Sequence, residues 1–167
     1  MYITEYNSPI GKMLLAAKDE KLCGLWFFGQ KYFDENIIKN AVSDDGTDIF
    51  KQTKDWLNRY FKRKKPSPFN LPLVPYGSDF RQEVWKILLT IPYGETITYG
   101  KIAKIIADKK GLNKMSAQAV GGAIGHNPIS IIIPCHRVLG QNGKLTGYAG
   151  GEDKKLWLLK HEEAIRK

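Results

Sequence analysis

Pro66, Pro68, Pro72 and Pro75 crowd the stretch 66–76 near the middle of this chain. Proline lacks an amide hydrogen and fixes φ, so neither a continuous helix nor a central strand can cross such a stretch. The segment therefore reads as a connection between two subdomains, residues 1–77 and 78–167. With 167 residues and 43% hydrophobic content, the chain has enough apolar material for two small cores.

The first part has the pattern of a small α/β unit. Strand-like runs at 2–6 and 13–17 flank Ser8-Pro9-Ile10-Gly11, a turn whose proline and glycine supply the backbone angles. A further run, 21–28, continues the sheet and holds Cys23 among apolar neighbours, where a thiol behaves as a small hydrophobe. Over 48–61, Ile49, Phe50, Trp56, Leu57, Tyr60 and Phe61 form a helical stripe. The basic cluster Lys62-Arg63-Lys64-Lys65 then complements the negative end of that helix.

The second part is mainly helical. Asp79 is placed to cap a helix, with Gln82 three positions on, and Phe80, Val84, Ile87 and Leu88 share its buried face. Thr98 caps the next helix, which buries Ile102, Ile105 and Ile106, and Ser116 opens a third that runs through Ala123. Two short helices joined compactly resemble a helix-turn-helix. The formal charge is +9, made of +3 before Gly77 (12 basic, 9 acidic) and +6 from it onwards (14 basic, 8 acidic). That balance suits a polyanionic partner. The third helix is nearly bare, with Ala117, Ala119, Gly121, Gly122 and Ala123, although each glycine costs about 1 kcal/mol relative to alanine. Two explanations stay open: tight helix packing, or entry into a narrow space such as a DNA minor groove, about 6 Å wide.

Cys23 and Cys135 are the two cysteines, too few for a disulfide framework and outside any Cys-x-x-Cys spacing. The run 130–133 reads as a β-branched strand entering Pro134, which sets Cys135 at a fixed strand end. His136 follows at once, but neighbours on an extended chain point opposite ways. A contact between thiol and imidazole would thus need a bend or a bridging water. The glycine-rich run 145–151, with Tyr148 in it, fits either a wall for a flat ligand or an ordinary connection. A final helix from Asp153 puts Leu158, Leu159 and Glu162 on one side. There Glu162 is either a partner for His136 or a boundary residue. No nucleotide phosphate loop is present. No run of about 18 apolar residues occurs, and the start lacks a secretory pattern. A soluble, cytoplasmic protein with no membrane partner is expected.

Taken in order, Ala119-Val120-Gly121-Gly122-Ala123, Asn127-Pro128, Ile133-Pro134-Cys135-His136-Arg137-Val138, Gly147-Tyr148-Ala149-Gly150-Gly151 and Trp157-Leu158-Leu159-Lys160-His161-Glu162 resemble the O6-alkylguanine-DNA alkyltransferases. Ser8-Pro9-Ile10-Gly11 and Leu22-Cys23-Gly24-Leu25-Trp26 resemble the N-terminal domain of the same family. The resemblance implies an α/β, ribonuclease-H-like N-terminal domain followed by a winged-helix-type domain whose helix-turn-helix docks in the minor groove of double-stranded DNA. It further implies direct-reversal repair: a flipped O6-alkylguanine gives its alkyl group irreversibly to Cys135, one lesion per monomer, with O4-alkylthymine a possible second substrate. Glu162, His136 and a water would form the relay that activates Cys135. Tyr99, Val138, Tyr148 and Ala149 would line the base pocket, with Asn127 bracing it. Ala117, Gln118, Gly121, Gly122 and Arg137 would meet DNA. No cofactor is implied, and no matching Cys/His set suggests the zinc that some relatives carry. Many relatives have Arg where this chain has Gln118, which implies weaker and less salt-sensitive DNA affinity. Three competing readings stand against this one. An alkyltransferase-like protein would have replaced Cys135, a cysteine hydrolase would show its own signature, and a plain DNA-binding regulator would need no nucleophile.

Overall fold

The strand pattern at the start resolves into β1 (Tyr2–Ser8), β2 (Gly11–Lys18) and β3 (Lys21–Phe27) in a computed structural model that describes residues 1–33 and 35–165. The turn between β1 and β2 falls on Ser8-Pro9-Ile10-Gly11, where Ser8 Oγ accepts from the Ile10 amide at 3.2 Å and Gly11 takes φ +131°. A short strand, β4 (Val42–Ser43), completes the sheet in the order β3-β2-β1-β4, antiparallel except for the β1/β4 pair. Helix α1 (Asp48–Phe61) packs on this sheet and buries Ile49, Phe50, Thr53, Trp56, Leu57 and Tyr60. Its bounds match the periodic stripe because one wide apolar face fixes both ends.

The chain separates into two units: Met1–Tyr76 with Pro128–Ser130, and Gly77–Asn127 with the residues from Ile131 onward. In the first unit β3 gains one parallel bridge from the proline-rich stretch, Leu22 to Leu73, and another from Leu25 to Ile129. Cys23 is buried with Ala16 and Trp26, and burial pushes its thiol above the ordinary range. It is a core residue. Gly24 is required there, since a Cβ would lie 2.0 Å from the Trp26 ring.

The second unit holds α2 (Asp79–Leu89), α3 (Tyr99–Lys110), α4 (Ala117–Gly125) and α5 (Glu152–His161). Strands β5 (Ile97–Thr98) and β6 (Val138–Leu139) pair in parallel. The expected caps Thr98 and Ser116 accept from the amides of Lys101 and Ala119 at 3.1 Å each. Helix α2 begins one residue earlier than expected. Ser78 is its cap, accepting from the Arg81 amide, and Asp79 is the first helical residue. Trp85 ties α2 to α4 by donating from Nε1 to the Ala123 carbonyl at 2.9 Å. No helix among the described residues is long and apolar enough to cross a membrane.

One expected element is absent. Residues 130–133 form turns rather than a strand, and Ile131 adopts φ +70°. The β-branched run signals burial, and all four residues are indeed buried. A β-branched residue in the left-handed region stores roughly 1–3 kcal/mol of strain.

Candidate active site

Cys135 opens a short 3-10 turn, Cys135–Arg137, directly after Pro134 (φ −82°, ψ 65°). The chain therefore bends at this dipeptide instead of running extended. The Cys135 amide donates to the Ile133 carbonyl at 2.8 Å, and Asn127 Nδ2 donates to the same carbonyl at 2.9 Å. Asn127 thereby braces the segment just before the thiol. β6 continues from the turn, and its pairing with β5 brings the start of α3, and so Tyr99, into this region. The Tyr99 hydroxyl donates to the Thr146 carbonyl at 3.2 Å, which fixes the ring against the 145–151 loop. Val138 is fully buried on β6, while Tyr148 and Ala149 are half-buried on the loop.

The buried ionisable groups of this region differ in charge. Burial pushes the Cys135 thiol up, against the pull of the Asn127 side chain, the Lys155 charge and the Tyr148 side chain. The resting group is a neutral thiol. His136 is fully buried, and its Nε2 lies 2.6 Å from Glu162 Oε2. An ionised carboxylate only accepts, so the ring proton sits on Nε2 and Nδ1 carries the lone pair. That Nδ1 is buried and has no hydrogen-bond partner among the described residues. Burial also lowers the His136 pKa; Glu162 opposes this, while Arg137 and Lys155 reinforce it. His136 is therefore neutral at ordinary pH.

His136 and Arg137 together keep Glu162 charged. The guanidinium donates from Nε to Oε1 at 2.8 Å and from Nη2 to Oε2 at 3.1 Å, a two-pronged grip, and Nη1 donates to the Ile91 carbonyl at 2.6 Å. The Gly94 amide adds a bond to Oε1 at 3.1 Å. Burial would raise the Glu162 pKa, but His136 and Arg137 hold the carboxyl well below the usual carboxylate range. Bidentate pairing of this kind is among the strongest charge-assisted contacts. Arg137 thus corrects the sequence expectation. It was assigned to DNA, yet it is 7% exposed and spent on Glu162 and Ile91. A basic residue beside a nucleophile looks like a phosphate contact in sequence, and only the fold shows that it turns inward.

Ala117, Gln118 and Gly122 are exposed on α4, with Gly121 half-buried beside Tyr99. A Cβ on Gly122 would meet nothing within 4 Å, and one on Gly121 would lie 3.9 Å from the Tyr99 ring. Internal packing therefore does not require either glycine. Lys155 is the residue that the sequence reading passed over. It sits three and four positions before Leu158 and Leu159, on the apolar side of α5, and is fully buried. That spacing was the available signal.

The fold and site define a two-part protein: a ribonuclease-like unit and a helical unit that buries a cysteine beside a base-and-carboxylate pair. The family model "6-O-methylguanine DNA methyltransferase, ribonuclease-like domain" matches residues 1–75, and "6-O-methylguanine DNA methyltransferase, DNA binding domain" matches residues 79–164. The methylated-DNA–protein-cysteine methyltransferase of Methanosarcina acetivorans is 44% identical over 167 residues, covering 97% of this chain and 98% of the relative. The protein of that name from Mycobacterium tuberculosis is 46% identical over 158 residues, covering 95% and 90%. A solved structure of the Mycobacterium tuberculosis protein OGT in complex with DNA superposes with a TM-score of 0.83 at 43% identity, covering 98% of this chain and 94% of that one. The chain belongs to the methylated-DNA–protein-cysteine methyltransferase family.

Proposed function

We propose that this protein repairs DNA by direct reversal, taking the alkyl group of O6-alkylguanine onto Cys135. The observation that carries the assignment of roles is the buried chain Arg137–Glu162–His136, which leaves Nδ1 of His136 as a buried lone pair on the residue that follows Cys135. A water held between Nδ1 and Cys135 would satisfy that buried nitrogen and carry the thiol proton to it. The sulfur then attacks the alkyl carbon, a C–S bond forms and the C–O bond to guanine breaks. Guanine takes the electron pair and is reprotonated. The thioether has no nucleophile left to release it, so each molecule acts once. His136, Glu162 and Asn127 serve the sulfur, and Tyr99, Val138, Tyr148 and Ala149 form the base pocket.

A duplex is the partner of the bare α4 face. Ala117, Gln118, Gly121 and Gly122 present little side chain there, which suits close approach to a minor groove and extrusion of the lesion base. The protein works as a monomer with its residues divided near Gly77, sheet unit before and transfer unit after. Incubation with a duplex containing O6-methylguanine is expected to add one methyl mass to the Cys135 peptide, and none to Cys135→Ala. Turnover beyond one equivalent, or a methyl on any other residue, overturns the reading.

Gln118 sets how firmly the helix holds DNA. Gln118→Arg adds one positive charge on an exposed position of α4, so affinity should rise and its salt slope should steepen by about one phosphate contact. Titration of a labelled duplex at several salt concentrations checks this, and an unchanged slope refutes it.

A further inference from the structure

Lys155 is a fully buried lysine whose ammonium has no carboxylate as a hydrogen-bond partner among the described residues. Nζ donates to the carbonyls of Thr146 at 2.9 Å and Gly147 at 3.0 Å, and it lies 5.7 Å from the centre of the Tyr99 ring. Buried ammonium groups are costly unless a counter-charge meets them. An ammonium has three donors, and two carbonyls occupy two of them. Thr146 and Gly147 immediately precede Tyr148, and Thr146 also receives the Tyr99 hydroxyl. One cation thus gathers both aromatic walls of the pocket.

The groups facing this cation come from four elements. They are Tyr99 on α3, Cys135 and His136 on the 3-10 turn, the loop carbonyls, and Glu152 at the start of α5. Its positive charge favours the anionic form of Cys135 and disfavours a charged His136. The first effect favours loss of the thiol proton and the second opposes its capture by the imidazole, so the cation acts on the sulfur while keeping the resting His136 neutral.

We propose that Lys155 is a positioning residue for alkyl transfer, pinning the loop that carries Tyr148 and supplying the buried positive charge against which the Cys135 thiolate forms. The inference rests on the reading of Cys135 as alkyl acceptor. Burial lowers the Lys155 pKa to about 8, with Cys135 and Glu152 acting to raise it. The cation is therefore present at neutral pH and is lost in mildly alkaline solution.

The test uses the whole protein with Lys155→Met and Lys155→Arg. Iodoacetamide modification of Cys135 is followed against pH by peptide mass, with Cys23 read separately, and methyl transfer from an O6-methylguanine duplex is timed in parallel. In Lys155→Met the Cys135 modification profile should move up by about one pH unit, a tenfold loss of thiolate at neutral pH, and transfer should slow at least as much. Lys155→Arg keeps the charge and should keep the modification profile, while transfer slows because the carbonyl contacts are displaced. An unmoved Cys135 profile in Lys155→Met, with transfer within about threefold of wild type, overturns the proposal; a loss of folding alone does not reproduce a shifted profile. Should Lys155→Met fail to fold, Lys155→Gln offers amide donors to the same carbonyls without charge, and the same shift decides. A wild-type protein that reacts with iodoacetamide but takes no methyl from the duplex defeats the alkyl-acceptor reading instead, and the titration still judges Lys155.

Discussion

Replacing Glu162 with glutamine is expected to slow methyl transfer by about 10²–10⁴-fold, the usual range for losing a positioned general base. The argument is one of proton placement. Glu162 accepts from His136 Nε2, from Arg137 and from the Gly94 amide. A glutamine of the same shape has one acceptor oxygen and a donor NH2. With Arg137 and Gly94 claiming the oxygen, the amide nitrogen faces His136 Nε2 and forces it to accept. The ring proton then moves to Nδ1, where the base lone pair had been. Single-turnover transfer at neutral pH reads this directly. A Glu162→Gln rate within about tenfold of wild type would mean that His136 is not the base.

The same substitution carries a stability cost. Arg137 is buried and its guanidinium loses its counter-ion, and breaking a buried pair costs roughly 3–5 kcal/mol. Urea unfolding at neutral pH measures it. The pH dependence follows from two depressed groups. Glu162 has a folded pKa below its ordinary value of 4.5, so its stabilisation is present above that value and is lost as pH falls through the acid range. His136 is held neutral with a pKa below 6.5, so the unfolded chain takes up a proton first, and stability starts to decline as pH drops past that point. Wild type should show both stages. Glu162→Gln should lack the more acidic one.

Much of this architecture was legible because one physical signal dominated locally. In α1 the buried stripe from Ile49 to Tyr60 fixed the helix. At Thr98 and Ser116 a short hydroxyl side chain before an apolar run marked the helix starts. The misses occurred where one signal served two outcomes. At 130–133 an apolar β-branched run meant burial, and the left-handed Ile131 prevented the strand that such runs usually form. Ser78 and Asp79 both suit a cap, and only the hydrogen bond to Arg81 decides between them. Arg137 and Lys155 were the deeper failures, because a charged residue in sequence is read as solvated or DNA-facing. Each is buried here by partners far along the chain or across a loop: Glu162 for Arg137, and the Thr146 and Gly147 carbonyls for Lys155.

The bare helix is where a second large effect is expected, and where stability and binding should move in opposite directions. Gly122 lies on the exposed side of α4, and a Cβ there touches nothing. Glycine in a helix interior costs about 1 kcal/mol relative to alanine. On folding grounds alone Gly122→Ala should therefore stabilise the protein, with a higher thermal midpoint. If α4 enters a groove about 6 Å wide, the space beside Gly122 belongs to DNA. Gly122→Leu should then leave the fold intact yet weaken binding to an O6-methylguanine duplex by about tenfold or more, since a side chain that must be excluded costs at least 1.4 kcal/mol, roughly a decade in Kd. Methyl transfer to Cys135 should fall with occupancy and recover at high duplex concentration, because Gly122→Leu leaves the Glu162–His136 pair untouched. Thermal melts and duplex titrations on the two variants separate the explanations that the sequence left open. Helix packing predicts that both variants lose stability, and groove entry predicts a stable protein that no longer holds DNA. A Gly122→Leu protein that binds the duplex as tightly as wild type would exclude this face of α4 from the DNA interface.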